Sequence, residues 1–201
     1  MLTIFHAPMS RSTRIVWLCE EMGVPYQTEP ASLQNPTPAL LAINPLRTAP
    51  AFVDGDVRMT ESIAIMLYIT GKYGPTPLAP APADPGYGDF LQYLIFGEAS
   101  LAMYAQPALV ARFIAHETEK SNWSVQNCLE RLVKRMELID TQLHERPYIA
   151  GERFTAADIS VGYALGLSGF LGLDDKIPAR ATRYLAGLRE RPAFKRAIAK
   201  T

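Results

Sequence analysis

The chain has 201 residues, 48% of them hydrophobic in type, and its 20 Lys and Arg balance 20 Asp and Glu. That apolar content supplies a large core, shared between one big domain or two smaller ones, and zero net charge without a basic block argues against a nucleic acid or an anionic membrane surface as partner. The first six residues lack the basic start and apolar run of a signal peptide, and no apolar stretch reaches the roughly 18 uncharged residues of a membrane span.

Residues 3–6 predict a first strand, ended by Ala7-Pro8. From Ser12 a helix follows, with Ile15, Val16, Leu18, Cys19 and Met22 on one apolar face, and Gly23 with Pro25 beyond it stops that helix. Residues 26–29 predict a second strand and residues 39–43 a short helix among Pro36, Pro38 and Pro45. Two short strands, 51–53 and 57–59, flank Asp54-Gly55-Asp56, a hairpin signal. A helix over 62–73 is expected to turn Ile63, Met66, Leu67 and Ile69 inward. The order is βαβαββα.

Five prolines between Pro75 and Pro85 preclude a regular helix or central strand there. The expected organisation is therefore a domain over residues 1–76, a Pro-rich linker over 77–86 and an all-helical domain over 87–201. Within the latter, Val125, Leu129, Leu132, Met136, Ile139 and Leu143 form one stripe of a long helix over 124–144. Thr155 and Asp158 have the spacing of a capping box, and Phe154 and Ile159 that of a hydrophobic staple. Residues 159–173 carry Gly162, Gly166, Gly169 and Gly172 between Asp158 and Asp174, which reads as a buried helix. Cys19 and Cys128 form no CxxC pair, which fits a reducing compartment and a cytoplasmic protein. His6, His116 and His144 have no metal-ligand spacing, so no metal is expected.

Several motifs in this order resemble the soluble glutathione transferase family, with a bacterial flavour. They are Ser10-Arg11-Ser12-Thr13-Arg14 after the first strand, Asn44-Pro45 with Thr48-Ala49-Pro50, Glu61-Ser62 opening a helix, the linker, and Phe154-Thr155-Ala156-Ala157-Asp158. The resemblance spans nearly the whole chain. It implies a thioredoxin-like N-terminal domain that holds glutathione as cosubstrate, with no prosthetic group, and an all-helical domain that helps hold a small electrophile. It also implies a homodimer with no nucleic acid or membrane partner, in which the helix at 61–73 faces the second copy.

The resemblance assigns Ser62 to the glutamyl carboxylate of glutathione and Glu61 to its ammonium group. A helix N-terminus suits a carboxylate, because its first N–H groups are unpaired and carry partial positive charge. It further implies a cis Ala49–Pro50 bond that turns the Ala49 N–H and C=O toward the cysteinyl part. The family pattern Asn-Pro-x-Gly-Lys-Val-Pro is here Asn44-Pro45-Leu46-Arg47-Thr48-Ala49-Pro50. Arg47 replaces the glycine and Thr48 the lysine, so a cationic contact to the glycyl carboxylate is either lost or supplied by Arg47.

The implied chemistry needs a thiolate. Lowering a thiol pKa of about 8.5 by two units takes about 2.7 kcal/mol of preferential interaction with the charged form. Ser10, between the first strand and first helix, is the favoured hydroxyl donor. Ser12 is the rival, with a competing role as helix N-cap, and Arg11 is a third candidate that stabilises a thiolate by charge alone. Arg14 reads as a structural hydrogen-bonding residue, His6 as the end of a strand and Cys19 as core. Met9, Phe96, Tyr104 and Arg112 fall where the family builds its second-substrate pocket, although each also reads as ordinary packing. The expected activity is conjugation of glutathione to small hydrophobic electrophiles, or peroxide reduction. Two alternatives stand beside it: a glutathione-dependent isomerase or dehalogenase, and a non-catalytic binding or regulatory protein of the same fold.

Overall fold

The computed structural model describes residues 1–32 and 34–200. The chain forms two compact units, Met1–Ala79 joined by Arg189–Thr201, and Pro80–Leu188.

In the first unit the order is β1 (Leu2–His6), α1 (Ser12–Met22), β2 (Tyr26–Pro30), α2 (Pro38–Ile43), β3 (Ala51–Asp54), β4 (Val57–Met59) and α3 (Ser62–Lys72). The sheet runs β2-β1-β3-β4. β1 is parallel to β2 and antiparallel to β3, and β3 and β4 form the hairpin around Gly55. This is the expected thioredoxin-like βαβαββα order. Gly23 ends α1 in the left-handed conformation at φ 66°, which glycine adopts without a Cβ clash. Thr37 caps α2 by accepting from the Leu40 N–H.

α1 is buried along all of residues 12–19, including Thr13, Arg14 and Trp17, where the sequence predicts a single apolar face. The reason is the C-terminal helix α9 (Pro192–Ile198), which the sequence reading assigns to the second domain and which belongs to the first unit. Phe194 meets Trp17 edge-on at 4.8 Å between ring centroids. Arg191 forks onto Glu21 at 2.6 and 2.8 Å, and Arg196 reaches Glu20 at 2.6 Å. The inward face of α3 also differs from expectation. Ile65, Met66 and Ile69 are buried, whereas Ile63 is half-buried and Leu67 is 39% exposed.

The second unit holds α4 (Tyr87–Phe96), a π-helical turn (Gly97–Ala102), α5 (Met103–Phe113), α6 (Trp123–Gln142), α7 (Ala156–Leu171) and α8 (Ala179–Arg189). From Tyr87 to Phe113 the helix is continuous for 27 residues and, by length and composition, apolar enough to span a bilayer. The sequence reading expects no such stretch. This helix packs in the bundle against α7 and α6. A Cβ on Gly97 would lie 2.3 Å from Ser160 Oγ, so glycine permits this close crossing, and the Ser160 hydroxyl donates to the Leu94 carbonyl at 2.7 Å. The stripe on α6 is inward at Val125, Leu132, Met136 and Ile139, with Leu143 buried just beyond its end.

The capping box of α7 forms as its spacing predicts. The Asp158 carboxylate accepts from the Thr155 N–H at 2.7 Å. It also accepts from the Ile149 N–H at 2.8 Å and the Tyr184 hydroxyl at 2.8 Å. Burial pushes the Asp158 pKa above the usual carboxylate range, against these hydrogen bonds.

Candidate functional site

Three segments of the first unit lie at the end of the sheet where the central strand β1 finishes and β3 begins. β1 delivers the first: Phe5 pairs with Ala51, so the strand ends at His6 where Ala49–Pro50 leads into β3. Ala7, Ala49 and Ile43 pack on the cluster of Phe5, Ala31, Leu40 and Ala51. The loop after β1 turns at Ala7–Ser10, where the Ser10 N–H donates to the Ala7 carbonyl at 3.1 Å, and Met9 takes φ 62°.

Ser10 is half-buried and Ser12 fully buried. Arg11, not Ser12, occupies the N-cap position of α1 and makes no side-chain cap bond. The Ser12 N–H instead donates to Ser10 Oγ at 3.2 Å. The Ser12 hydroxyl points back into the loop, 2.7 Å from Ser10 Oγ, 2.7 Å from His6 Nδ1 and 3.2 Å from the Ala7 N–H. Of the two hydroxyls Ser10 is therefore the more accessible, and Ser12 is committed behind it.

The second segment is the loop before β3. Asn44 is buried and organises it, donating to the Thr48 carbonyl at 2.8 Å and Thr48 Oγ1 at 2.9 Å and accepting from the Leu46 N–H at 3.1 Å. Arg47 takes φ 56°, the left-handed region that favours glycine, which accounts for the glycine in the family pattern. Arg47 and Thr48 are exposed, Ala49 is half-buried and Pro50 buried. The Ala49–Pro50 bond is cis.

The third segment is the start of α3. Glu61 holds the N-cap position with no side-chain cap bond and is exposed. The helix bonds begin with the Ile65 N–H to the Glu61 carbonyl, so earlier N–H groups have no intrahelical partner. The buried Arg14 Nη1 donates to Ser62 Oγ at 3.1 Å. This ties the first turn of α1 to that of α3 and leaves the Ser62 proton available for an acceptor. Ser62→Ala is expected to weaken glutathione binding about 10- to 100-fold, the loss of one hydrogen bond to a charged group, with little change in thiol pKa. Calorimetric titration, with a thermal melt to register the lost Arg14 partner, checks it. Unchanged affinity would remove Ser62 from the site.

His6 ends β1 as expected; it is 3% exposed, and its Nδ1 lies 2.7 Å from Ser12 Oγ. Burial lowers its pKa, opposed by a hydrogen bond with the Lys200 backbone. Cys19 lies in the core, where burial pushes its thiol up to about 12, which leaves it inert.

The second-substrate candidates divide between the units. Met9 belongs to the first and is 59% exposed. Phe96, Tyr104 and Arg112 belong to the second. Phe96 stands edge-on to Tyr93 at 5.8 Å, and the Arg135 guanidinium covers the Tyr104 ring at 4.1 Å. Arg112 is exposed. Among the described residues no cluster of His, Cys, Asp or Glu could hold a metal ion.

A thioredoxin-like unit with a hydroxyl after β1, a cis proline before β3 and a polar α3 start, followed by a helical unit, defines the glutathione transferase fold. The family model of the glutathione S-transferase N-terminal domain matches residues 1–71. Over its whole length the chain is 29% identical to glutathione S-transferase 3 of Schizosaccharomyces pombe, covering 88% of that protein. It superimposes on a glutathione S-transferase from Actinobacillus pleuropneumoniae with a TM-score of 0.84 at 26% identity, covering 100% of this chain and 93% of that one. A family member from Pseudomonas fluorescens, solved with two glutathione molecules bound, gives a TM-score of 0.88 at 24% identity over 98% of this chain and 92% of that one. Residues 1–71 are thus similar to the N-terminal domain of the glutathione S-transferases, and the chain as a whole has the fold of that family.

Proposed function

We propose that this protein is a glutathione transferase that binds glutathione across the three segments of its first unit and adds the thiolate to small hydrophobic electrophiles. The observation that carries this reading is the half-buried Ser10 hydroxyl at the corner between β1 and α1, backed by Ser12 and next in the fold to the cis Ala49–Pro50 bond. Ser62 and the first N–H groups of α3 take the glutamyl carboxylate, and the Glu61 carboxylate takes the ammonium group. The Ala49 backbone holds the cysteinyl amide, and the exposed Arg47 and Thr48 lie toward the glycyl end.

With the peptide so held, the sulfur meets Ser10, whose hydroxyl hydrogen-bonds more strongly to S⁻ than to SH. The α1 N-terminus and the Arg11 charge favour the same form. The thiolate then forms the carbon–sulfur bond as the leaving group departs or the double bond accepts the electron pair. With a peroxide, the same thiolate attacks oxygen, the O–O bond breaks and the alcohol leaves, and the resulting glutathione sulfenic acid condenses with a second glutathione to give the disulfide and water. Met9, Phe96, Tyr104 and Arg112 are the candidates to receive the electrophile. Retention on a glutathione matrix, followed by turnover of a panel of aryl halides, enones and peroxides, tests the reading. Retention without turnover of any of them would favour a non-catalytic binding protein.

The functional form proposed is a cytoplasmic homodimer. Exposed Leu67 on α3 and Tyr73 just beyond it supply apolar surface for a second copy, and two-fold closure is the commonest soluble assembly. Light scattering across a dilution series should give twice the 22.2 kDa of one chain. A constant mass near the single-chain value would overturn this.

A further inference from the structure

We propose that Arg14 is a positioning residue for glutathione: from inside the first unit it sets the direction of the Ser62 hydroxyl and so makes the start of α3 selective for a carboxylate. This role rests on the glutathione reading above and belongs to a side chain that does not itself touch the peptide. In the sequence Arg14 reads only as a structural hydrogen-bonding residue.

The direction follows from counting donors and acceptors. Arg14 lies in the first turn of α1 and is fully buried, and Ser62 opens α3 at 3% exposure. Arg14 Nη1 donates to Ser62 Oγ at 3.1 Å. A hydroxyl has one proton and two lone pairs, and a guanidinium has donors only. Arg14 therefore fills one Ser62 lone pair and cannot take the Ser62 proton, which is turned away from it. Among the described residues the Ser62 hydroxyl has no second partner. A buried donor left unspent is costly, and here it waits for an acceptor from outside the fold.

The groups around Ser62 have the same sign. The first helix bond of α3 runs from the Ile65 N–H to the Glu61 carbonyl, so the N–H groups of Ser62, Ile63 and Ala64 have no intrahelical partner. Together with the Ser62 O–H they form a set of donors at the positive end of the helix. Such a set suits a group that only accepts, a carboxylate, and disfavours one that presents its own N–H. Arg14 strengthens the preference, because a hydroxyl that accepts from a cation is polarised into a better donor.

One turn of α1 thereby serves both ends of the peptide. Ser12 Oγ stands 2.7 Å behind Ser10 Oγ at the sulfur end. Arg14, two residues and about 200° further round the helix, stands behind Ser62 at the glutamyl end. The seat is rigid: α1 packs on α3, and Ile15 and Leu18 of the one and Ile65, Met66 and Ile69 of the other are fully buried. The guanidinium is thus held to one position against Ser62, and the hydroxyl is pre-set before the ligand arrives.

The test pairs two ligands with two positions. Glutathione and its analogue without the glutamyl carboxylate, γ-aminobutyryl-cysteinylglycine, are titrated calorimetrically against full-length wild type, Arg14→Met, Ser62→Ala and the double variant, each checked for a native melt. Arg14→Met should weaken glutathione about tenfold, through one misdirected hydrogen bond to a charged group, and leave the analogue within about twofold. In the Ser62→Ala background the same substitution should cost glutathione nothing further, because Arg14 acts through Ser62. Equal weakening of both ligands, or losses that add in the double variant, would make Arg14 a purely structural residue and overturn the proposal. If Arg14→Met does not fold, nuclear magnetic resonance of the wild type decides. The Arg14 guanidinium signal, identified as the one displaced in Ser62→Ala, must shift with glutathione and stay in place with the analogue. No shift with glutathione overturns the proposal. A wild type that binds neither ligand would instead defeat the parent reading, and one that binds both equally would remove α3 from the site and Arg14 with it.

Discussion

Ser10→Ala is expected to raise the pKa of protein-bound glutathione by about one to two units and to lower the conjugation rate near neutral pH by about the same factors of ten. A hydrogen bond to a charged group is worth about 1.5–3 kcal/mol, and one pKa unit is about 1.4 kcal/mol. The removed hydroxyl is the more accessible of the pair, 2.7 Å in front of Ser12. The sign follows from which form it prefers. The hydroxyl stabilises the thiolate, so its loss moves ionisation to higher pH, and the rate deficit should close as pH rises through the shifted pKa. Ground-state affinity should change little, because the carboxylate end of the peptide is held at α3. The measurement is the ultraviolet thiolate signal against pH for wild type, Ser10→Ala, Ser12→Ala and Arg11→Ala. A wild-type titration for Ser10→Ala with an upward shift for Arg11→Ala would make the cation the activator. A shift confined to Ser12→Ala would place the role on the buried hydroxyl.

The largest stability effect is expected at Asp158. Asp158→Ala removes the acceptor for the Ile149 N–H, the Thr155 N–H and the Tyr184 hydroxyl at once. The residue is fully buried, so water cannot replace these bonds. An unsatisfied buried donor costs about 1–3 kcal/mol and a lost cap about 1 kcal/mol. The expected loss is on the order of 3–5 kcal/mol, in the range of a broken buried polar network. A urea melt of each variant measures it, and a loss under about 1 kcal/mol would mean that Thr155 alone suffices as cap. The pH dependence has a definite sign. Burial raises the folded pKa of this carboxyl. Its contribution to stability is therefore greatest below the unfolded value of about 3.9 and declines as pH rises through the raised folded pKa.

The features legible in the sequence were those fixed within a few residues. Gly23 stops α1 because a left-handed residue is needed there, and only chain-local sterics decide it. Gly55 marks the hairpin, and Thr155 with Asp158 caps α7 across three residues. The same locality made the βαβαββα order readable from periodicity, and made Ser10, Pro50, Glu61 and Ser62 visible as motifs.

What only the tertiary structure decided involves partners distant in the chain. Periodicity gives a helix one apolar face, but it cannot say how many neighbours cover it. α9 covers α1 where one face was expected, and Leu67 stays exposed where it was expected inside. Arg14 and Ser62 are 48 positions apart and meet only because α1 and α3 are folded together. Ser12 looked like an N-cap because capping is local, yet its hydroxyl turns back to His6, since the loop after β1 folds over onto the strand end. His6 reads in the sequence as a plain strand end, and its burial beside Ser12 is decided by the packing of the loop that follows, which no spacing rule describes.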